Sequence, residues 1–193
     1  MQMQPAKVLT QAELTSLLQS VSTTRHPIRN QAMILLSFKA GLRACEMAGL
    51  TWPMILGPSG RMKGTIELGM GITKGGRFRT IPLATDLKKA LKKLHVQSGK
   101  PTTGPVILSE RGAAMTPRSV VNWFKTTYAA LNMQGCSSHS GRRTFITTAA
   151  RNLAKVNGSL RDVQELAGHR ALATTERYIQ GDRTIQRQLV NLI

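Results

Sequence analysis

The chain has 193 residues, 41% of them hydrophobic, which is enough for one domain with a core and too apolar for a disordered segment. Lys and Arg number 27 against 9 Asp and Glu, a net charge of +18 that opposes compaction unless a polyanion relieves it. No apolar run approaches the roughly 20 residues of a membrane helix, the first residues lack signal-peptide order, and Cys45 and Cys136 fit neither a metal spacing nor a disulfide framework.

In chain order, Thr10 followed by Glu13 is a capping box opening a short helix through QAELTSLLQS. A second helix is predicted from Pro27 to about Ala40, ended by Gly41, and RACEMAGL reads as a further short helical segment. From Trp52 the pattern changes. GPSG is turn chemistry, GTIEL is strand-like, and ITKGGRFRTIPL holds two short strands around Gly75 and Gly76. The expected fold is therefore α+β and mainly helical, with a small antiparallel three-stranded sheet packed beside a helical core.

ATDLKKALKKLHVQSG places Leu87, Ala90, Leu91 and Leu94 on one helical face, and Lys88, Lys89, Lys92 and Lys93 on the other. Thr116 and Pro117 cap the next helix, which turns Val120, Phe124 and Leu131 to the core. Helices also fit GRRTFITTAARNL and, after Ser159 with Asp162, LRDVQELAG. A short helix around Tyr178 follows, and the tail RTIQRQLVNLI carries an apolar stripe at helical spacing.

Duplex DNA is the expected partner of so basic a chain, because each neutralised phosphate releases condensed counterions. Aromatics of only 4% argue against a stacking platform for single strands or RNA. Near predicted helix ends and turns stand Arg43, Lys74, His139, Arg142, His169 and Tyr178. Singly, each has an ordinary explanation: an exposed cap partner, a solubilising hairpin lysine, a half-buried packing tyrosine. Together they supply what metal-free phosphodiester cleavage needs. Guanidiniums fork onto non-bridging oxygens, a histidine adds a hydrogen bond or moves a proton, a lysine protonates the leaving oxygen, and a tyrosine attacks. The sequence has neither an acidic cluster for two-metal hydrolysis nor a P-loop, so no metal, nucleotide or other cofactor is expected.

Four segments resemble, in order, the boxes of the tyrosine recombinase, or phage integrase, catalytic domain. GLRACEMAGLTW resembles the first arginine box, with Arg43 and the acidic Glu46; TKGGRFRTIPL resembles the β-hairpin bearing the catalytic lysine, here Lys74. HSGRRTFITTAA resembles the His-x-x-Arg box, giving His139 and Arg142, and LAGHRALATTERYI the final box, giving His169 and the nucleophile Tyr178. The resemblance implies cleavage through a 3′-phosphotyrosyl link and rejoining by a 5′ hydroxyl, without metal or ATP. It gives Glu46 an orienting role, and it selects Arg142 over Arg143, which remains a backbone-phosphate contact. Arg77, Arg79, Arg118 and Arg170 are further expected DNA contacts.

The expected organisation is a lead over 1–6, a catalytic domain over 7–181 and a tail helix over 182–193, exchanged between protomers or folded on its own domain. No N-terminal core-binding domain is expected within the chain, since only MQMQPA precedes the catalytic start. The cysteine usage points to a reducing, cytoplasmic setting, and the resemblance implies a homo-oligomer, a tetramer, on specific recombination sites, with accessory DNA-bending proteins. Two departures stand out: Gly141 replaces a usual leucine and is expected to loosen its turn, and Ser140 stands where many members carry Asp. The competing readings are a type IB topoisomerase that relaxes supercoils and a non-catalytic DNA-binding protein.

Overall fold

Side-chain caps open several of the helices. In the computed structural model, which describes residues 5–73, 76, 78–178 and 190–191, Thr10 and Glu13 form the capping box of α1 (Gln11–Val21). The Glu13 carboxylate accepts from the Thr10 N–H at 2.8 Å. Its pKa is held below the usual carboxylate value, first by the hydrogen bond from Lys7. Pro27 starts α2 (Pro27–Lys39), as the fixed φ of proline favours. Ala32 through Phe38 are all buried, so α2 is a central helix covered all round rather than an amphipathic one.

After it come α3 (Ala44–Ala48), a 3₁₀ turn at Trp52–Met54, and the strands β1 (Thr65–Leu68) and β2 (Arg79–Pro82). The strands pair antiparallel, with Leu68 opposite Arg79 and Ile66 opposite Ile81. Helix α4 (Thr85–Gln97) buries Leu87, Ala90, Leu91 and Leu94 on the predicted stripe, leaving Lys89, Lys92 and Lys93 exposed. Helix α5 (Pro117–Ala130) buries Val120, Phe124 and Tyr128, four residues apart on one face. Leu131, just past it, is partly buried against the core.

The sheet has two strands among the described residues, not the three expected. The segment assigned to the extra strand turns instead: residues 70–72 form a turn, with the Ile72 N–H on Gly69 O at 3.3 Å. Ile72 is an apolar side chain partly buried against the core. Core packing overrides its strand propensity.

The chain divides into two compact units, Met1–Phe145 and Ile146–Ile193. Helix α6 (Ser140–Arg151) begins in the first unit and ends in the second. In the second unit a 3₁₀ turn (Leu153–Val156) leads to α7 (Leu160–Ala167), opened by the Ser159–Asp162 capping box and ended by Gly168 at φ +63. Helix α8 (Leu172–Glu176) packs on α7. The predicted tail helix lies outside the described residues, apart from 190 and 191.

Two glycines in the first unit set how closely its elements approach. Gly41, just past the end of α2, takes φ +61, and a Cβ there would sit 2.5 Å from Phe145 Cδ1. Gly141, in the first turn of α6, has Ser37 and Phe38 so close that a Cβ would lie 2.7 Å from Ser37 Cβ and 2.8 Å from Phe38 Cδ2. Its turn is not loosened, as expected from the missing leucine, but closed tightly on α2. Ser140 ties down the residues before α6. Its Oγ accepts from the Ser137 N–H at 3.0 Å, while its N–H returns to Ser137 O at 2.9 Å.

Gly141→Ala should therefore destabilise by about 1–3 kcal/mol through overpacking, although helix propensity alone favours alanine. Urea unfolding measures this, and an unchanged or raised midpoint would show that the close contact does not matter.

Candidate active site

A buried carboxylate organises the candidate residues of the first unit. Glu46 is the third residue of α3 and is fully buried. Its Oε1 accepts from Arg43 Nη1 at 2.7 Å, and its Oε2 accepts from the Arg43 N–H at 2.9 Å and from Arg79 Nη2 at 2.8 Å. One side chain thus caps α3, orders the Arg43 guanidinium and holds the start of β2.

Arg79 lies inside the fold, with only 6% of its surface exposed, which corrects the expectation that it faces DNA. Burial pushes its guanidinium below the usual arginine pKa, against the attraction of Glu46. The reason is its alternation in β2. Arg79 and Ile81 point inward while Thr80 and Pro82 point out.

Arg142 is buried at 4% exposure, and its Nη1 donates to Gly41 O at 2.7 Å, two residues before Arg43. The positive φ of Gly41 accompanies the turn that presents this carbonyl. His139 is exposed at the start of α6, its N–H on Ser137 Oγ at 3.2 Å, and Arg143 is half-buried one position beyond Arg142. Arg118 is exposed in the first turn of α5. Lys74 and Arg77 lie outside the described residues.

The second unit, taken by itself, carries His169 and Tyr178. His169 is buried just after the left-handed Gly168, its N–H on Gln164 O at 3.1 Å. The Nε2 of buried Gln164 donates to His169 O at 3.1 Å and to Arg170 O at 3.3 Å, bracing the loop from both sides. His169 Nδ1 lies 2.9 Å from the Oγ1 of Thr175, which is fully buried. The imidazole stacks on the Tyr178 ring, with centroids 5.6 Å apart and planes 23° from parallel. Arg170 is exposed, and Tyr178 is half-buried.

The chain has two tyrosines, and their settings differ. Tyr128 is 2% exposed, stacked on Phe124, and its hydroxyl has no hydrogen-bond partner among the described residues. Burial drives its pKa upward, away from the phenolate a nucleophile must approach. Tyr178 has both solvent access and an ordered imidazole beside it. Gln164 and Thr175 were not found from the sequence. The available signals were a polar residue on the buried face of α7 and a hydroxyl one turn before the tyrosine.

The phage integrase family model matches residues 7–184. The chain belongs to the phage integrase family. Tyrosine recombinase XerC of Xylella fastidiosa strain 9a5c is 28% identical over 180 residues, covering 91% of this chain and 56% of that protein. The chain thus spans little more than half the length of this relative. The XerA recombinase crystal structure superposes with a TM-score of 0.75 at 20% identity, covering 98% of this chain and 65% of that one. The Tn1549 transposon integrase, solved with circular intermediate DNA, gives a TM-score of 0.74 at 20% identity, over 97% of this chain and 66% of its own. At such identities the superpositions speak for the integrase catalytic fold, mainly helical with a small antiparallel sheet.

If Glu46 is the hub, Glu46→Gln leaves two guanidiniums without their counter-charge and should lower the unfolding free energy by about 3–5 kcal/mol. A urea midpoint equal to that of the parent would remove Glu46 from this role.

Proposed function

We propose that the chain is the catalytic portion of a site-specific DNA recombinase that cleaves and rejoins duplex DNA through a 3′-phosphotyrosyl intermediate. The observation that carries this reading is Tyr178, a half-exposed phenol stacked on an imidazole whose backbone and ring are both braced. The relatives named as tyrosine recombinases, and the neighbour solved on DNA, support it.

In this reading Arg43 and Arg142 bind the non-bridging oxygens of the scissile phosphate, aided by His139 and His169. Tyr178 Oη bonds to phosphorus as the bond to the 5′ oxygen breaks. Lys74 gives that oxygen its proton, and the phenol of Tyr178 gives its own to solvent water. A 5′ hydroxyl from a partner duplex reverses the step and exchanges strands, so the phosphoester energy is retained without ATP. Arg77, Arg118, Arg143 and Arg170 contact the DNA backbone. Assembly as a tetramer on specific recombination sites, with DNA-bending proteins in a cytoplasmic setting, belongs to the same proposal, as does a catalytic domain over 7–181 followed by a tail helix.

Tyr178→Phe should abolish the covalent adduct on a nicked suicide duplex while leaving affinity within about twofold, because the phenol makes no phosphate contact essential to docking. Denaturing gels and titration by anisotropy read the two quantities, and an adduct formed by the Phe variant would end the proposal. Lys74→Ala should cleave slowly on ordinary DNA and recover when the bridging 5′ oxygen is sulfur, since a thiolate leaves without a proton. Failure to recover would take Lys74 out of the acid role. Arg43→Ala and Arg142→Ala should each cost about 3 kcal/mol or more of transition-state stabilisation in single-turnover cleavage. Efficient relaxation of a plasmid lacking any cognate site would favour the topoisomerase reading instead.

A further inference from the structure

We propose that Thr175 sets the tautomer of His169, fixing the imidazole as a hydrogen-bond donor through Nε2 rather than as a base. Thr175 is a positioning residue here: it acts through His169 and touches nothing that reacts.

Thr175 is fully buried, and the His169 Nδ1 at 2.9 Å is the one hydrogen-bond partner of its Oγ1 among the described residues. A threonine on a helix often turns its hydroxyl back to a carbonyl three or four residues earlier, and Thr175 makes no such bond among the described residues. Its proton therefore has a single acceptor within reach, the Nδ1 lone pair. Were Nδ1 protonated instead, the ring would donate to the threonine oxygen and the hydroxyl proton would be buried without an acceptor. That unmet donor biases the two neutral forms by about tenfold or more. With Nδ1 accepting, the ring proton sits on Nε2.

Gln164 makes this arrangement rigid. Its backbone carbonyl accepts from the His169 N–H, and its side chain donates to the carbonyls of His169 and Arg170, so the imidazole has little freedom to turn away from Thr175. The stacked Tyr178 ring limits it from the other side. The consequence is chemical. An Nε2–H imidazole offers a donor to a phosphate oxygen and has no second lone pair with which to take the Tyr178 proton, so deprotonation of the nucleophile does not pass through His169. That the donor meets the scissile phosphate rests on the recombinase reading; the tautomer does not.

The test uses the full chain labelled with ¹⁵N-histidine, above the titration range of imidazole, with His169→Asn to assign its signals among the four histidines. Long-range ¹H–¹⁵N correlation should give the Nε2–H form in the parent and in Thr175→Ser, which keeps the hydroxyl. In Thr175→Val, of the same shape but without it, the Nδ1–H form should become a substantial fraction. An Nδ1–H form in the parent, or a Val variant with an unchanged spectrum, overturns the proposal. In single-turnover cleavage at saturating protein, Thr175→Val should be about tenfold slower at unchanged affinity, with Ser restoring the rate. A Val variant that cleaves at the parental rate also overturns it. If the parent forms no adduct at all, the recombinase reading fails, while the spectrum still decides the tautomer.

Discussion

A single carboxylate with no exposed surface holds Arg43 and Arg79 together in the first unit. Moving a charge out of water costs several kcal/mol even after relaxation, and Glu46 offsets this with three donors on its two oxygens. The geometry makes the arrangement self-consistent. Glu46 lies at the third position of α3, where a carboxylate also meets the positive end of the helix. A helix of five residues does not persist on its own, so the ion pairs and the cap stabilise α3 as much as α3 positions them. Through Arg79 the same carboxylate ties in the first residue of β2. The start of β2 is thereby referenced to Arg43 by one buried anion.

The second arginine reaches the same short segment by packing. Gly141 lets α6 lie against Ser37 and Phe38 of α2, and Gly41 presents its carbonyl to Arg142 from the loop that also carries Arg43. The two guanidiniums are thus fixed to backbone only two residues apart, one through a carboxylate and one through a carbonyl. Preorganised donors stabilise developing charge because they need little reorganisation when it appears. A side chain at residue 141 would push α6 outward and move Arg142 with it. The small residue is a geometric requirement of the site, not a defect in a turn.

Much of this was legible in the sequence because it is local. Thr10 with Glu13, Thr116 with Pro117, and Ser159 with Asp162 each announced a helix start that the structure has, and the α4 stripe of Leu87, Ala90, Leu91 and Leu94 named its own buried face. The unread features depend on residues far apart in the chain. Arg79 reads as one more cation in a basic hairpin until Glu46, thirty-three residues earlier, is seen to hold it. Gly141 reads as a weak helix residue until Ser37 and Phe38 are placed against it. Ile72 reads as strand, because β propensity takes no account of an apolar side chain having core nearby to cover. Thr175 and Gln164 read as filler, since a hydroxyl or an amide acquires a role only when its partner is known.

The charge distribution extends the same reasoning to the partner. Among the described residues six carboxylates are engaged in ion pairs, Glu13, Glu46, Glu67, Asp86, Glu110 and Glu165, and Asp162 serves as a cap. With nine acidic residues in all against 27 basic ones, rearranging side chains cannot neutralise the remainder. Apart from those of buried Glu46, these are surface pairs that contribute little each, so they do not account for the imbalance on grounds of stability. The excess is a standing repulsion that an external polyanion lowers, with counterion release as the driving force. A chain that orders two guanidiniums around one buried anion, yet carries far more cations than its own carboxylates can balance, is arranged to receive negative charge from outside. A phosphate track supplies that charge continuously along its length, in a form a forked guanidinium fits.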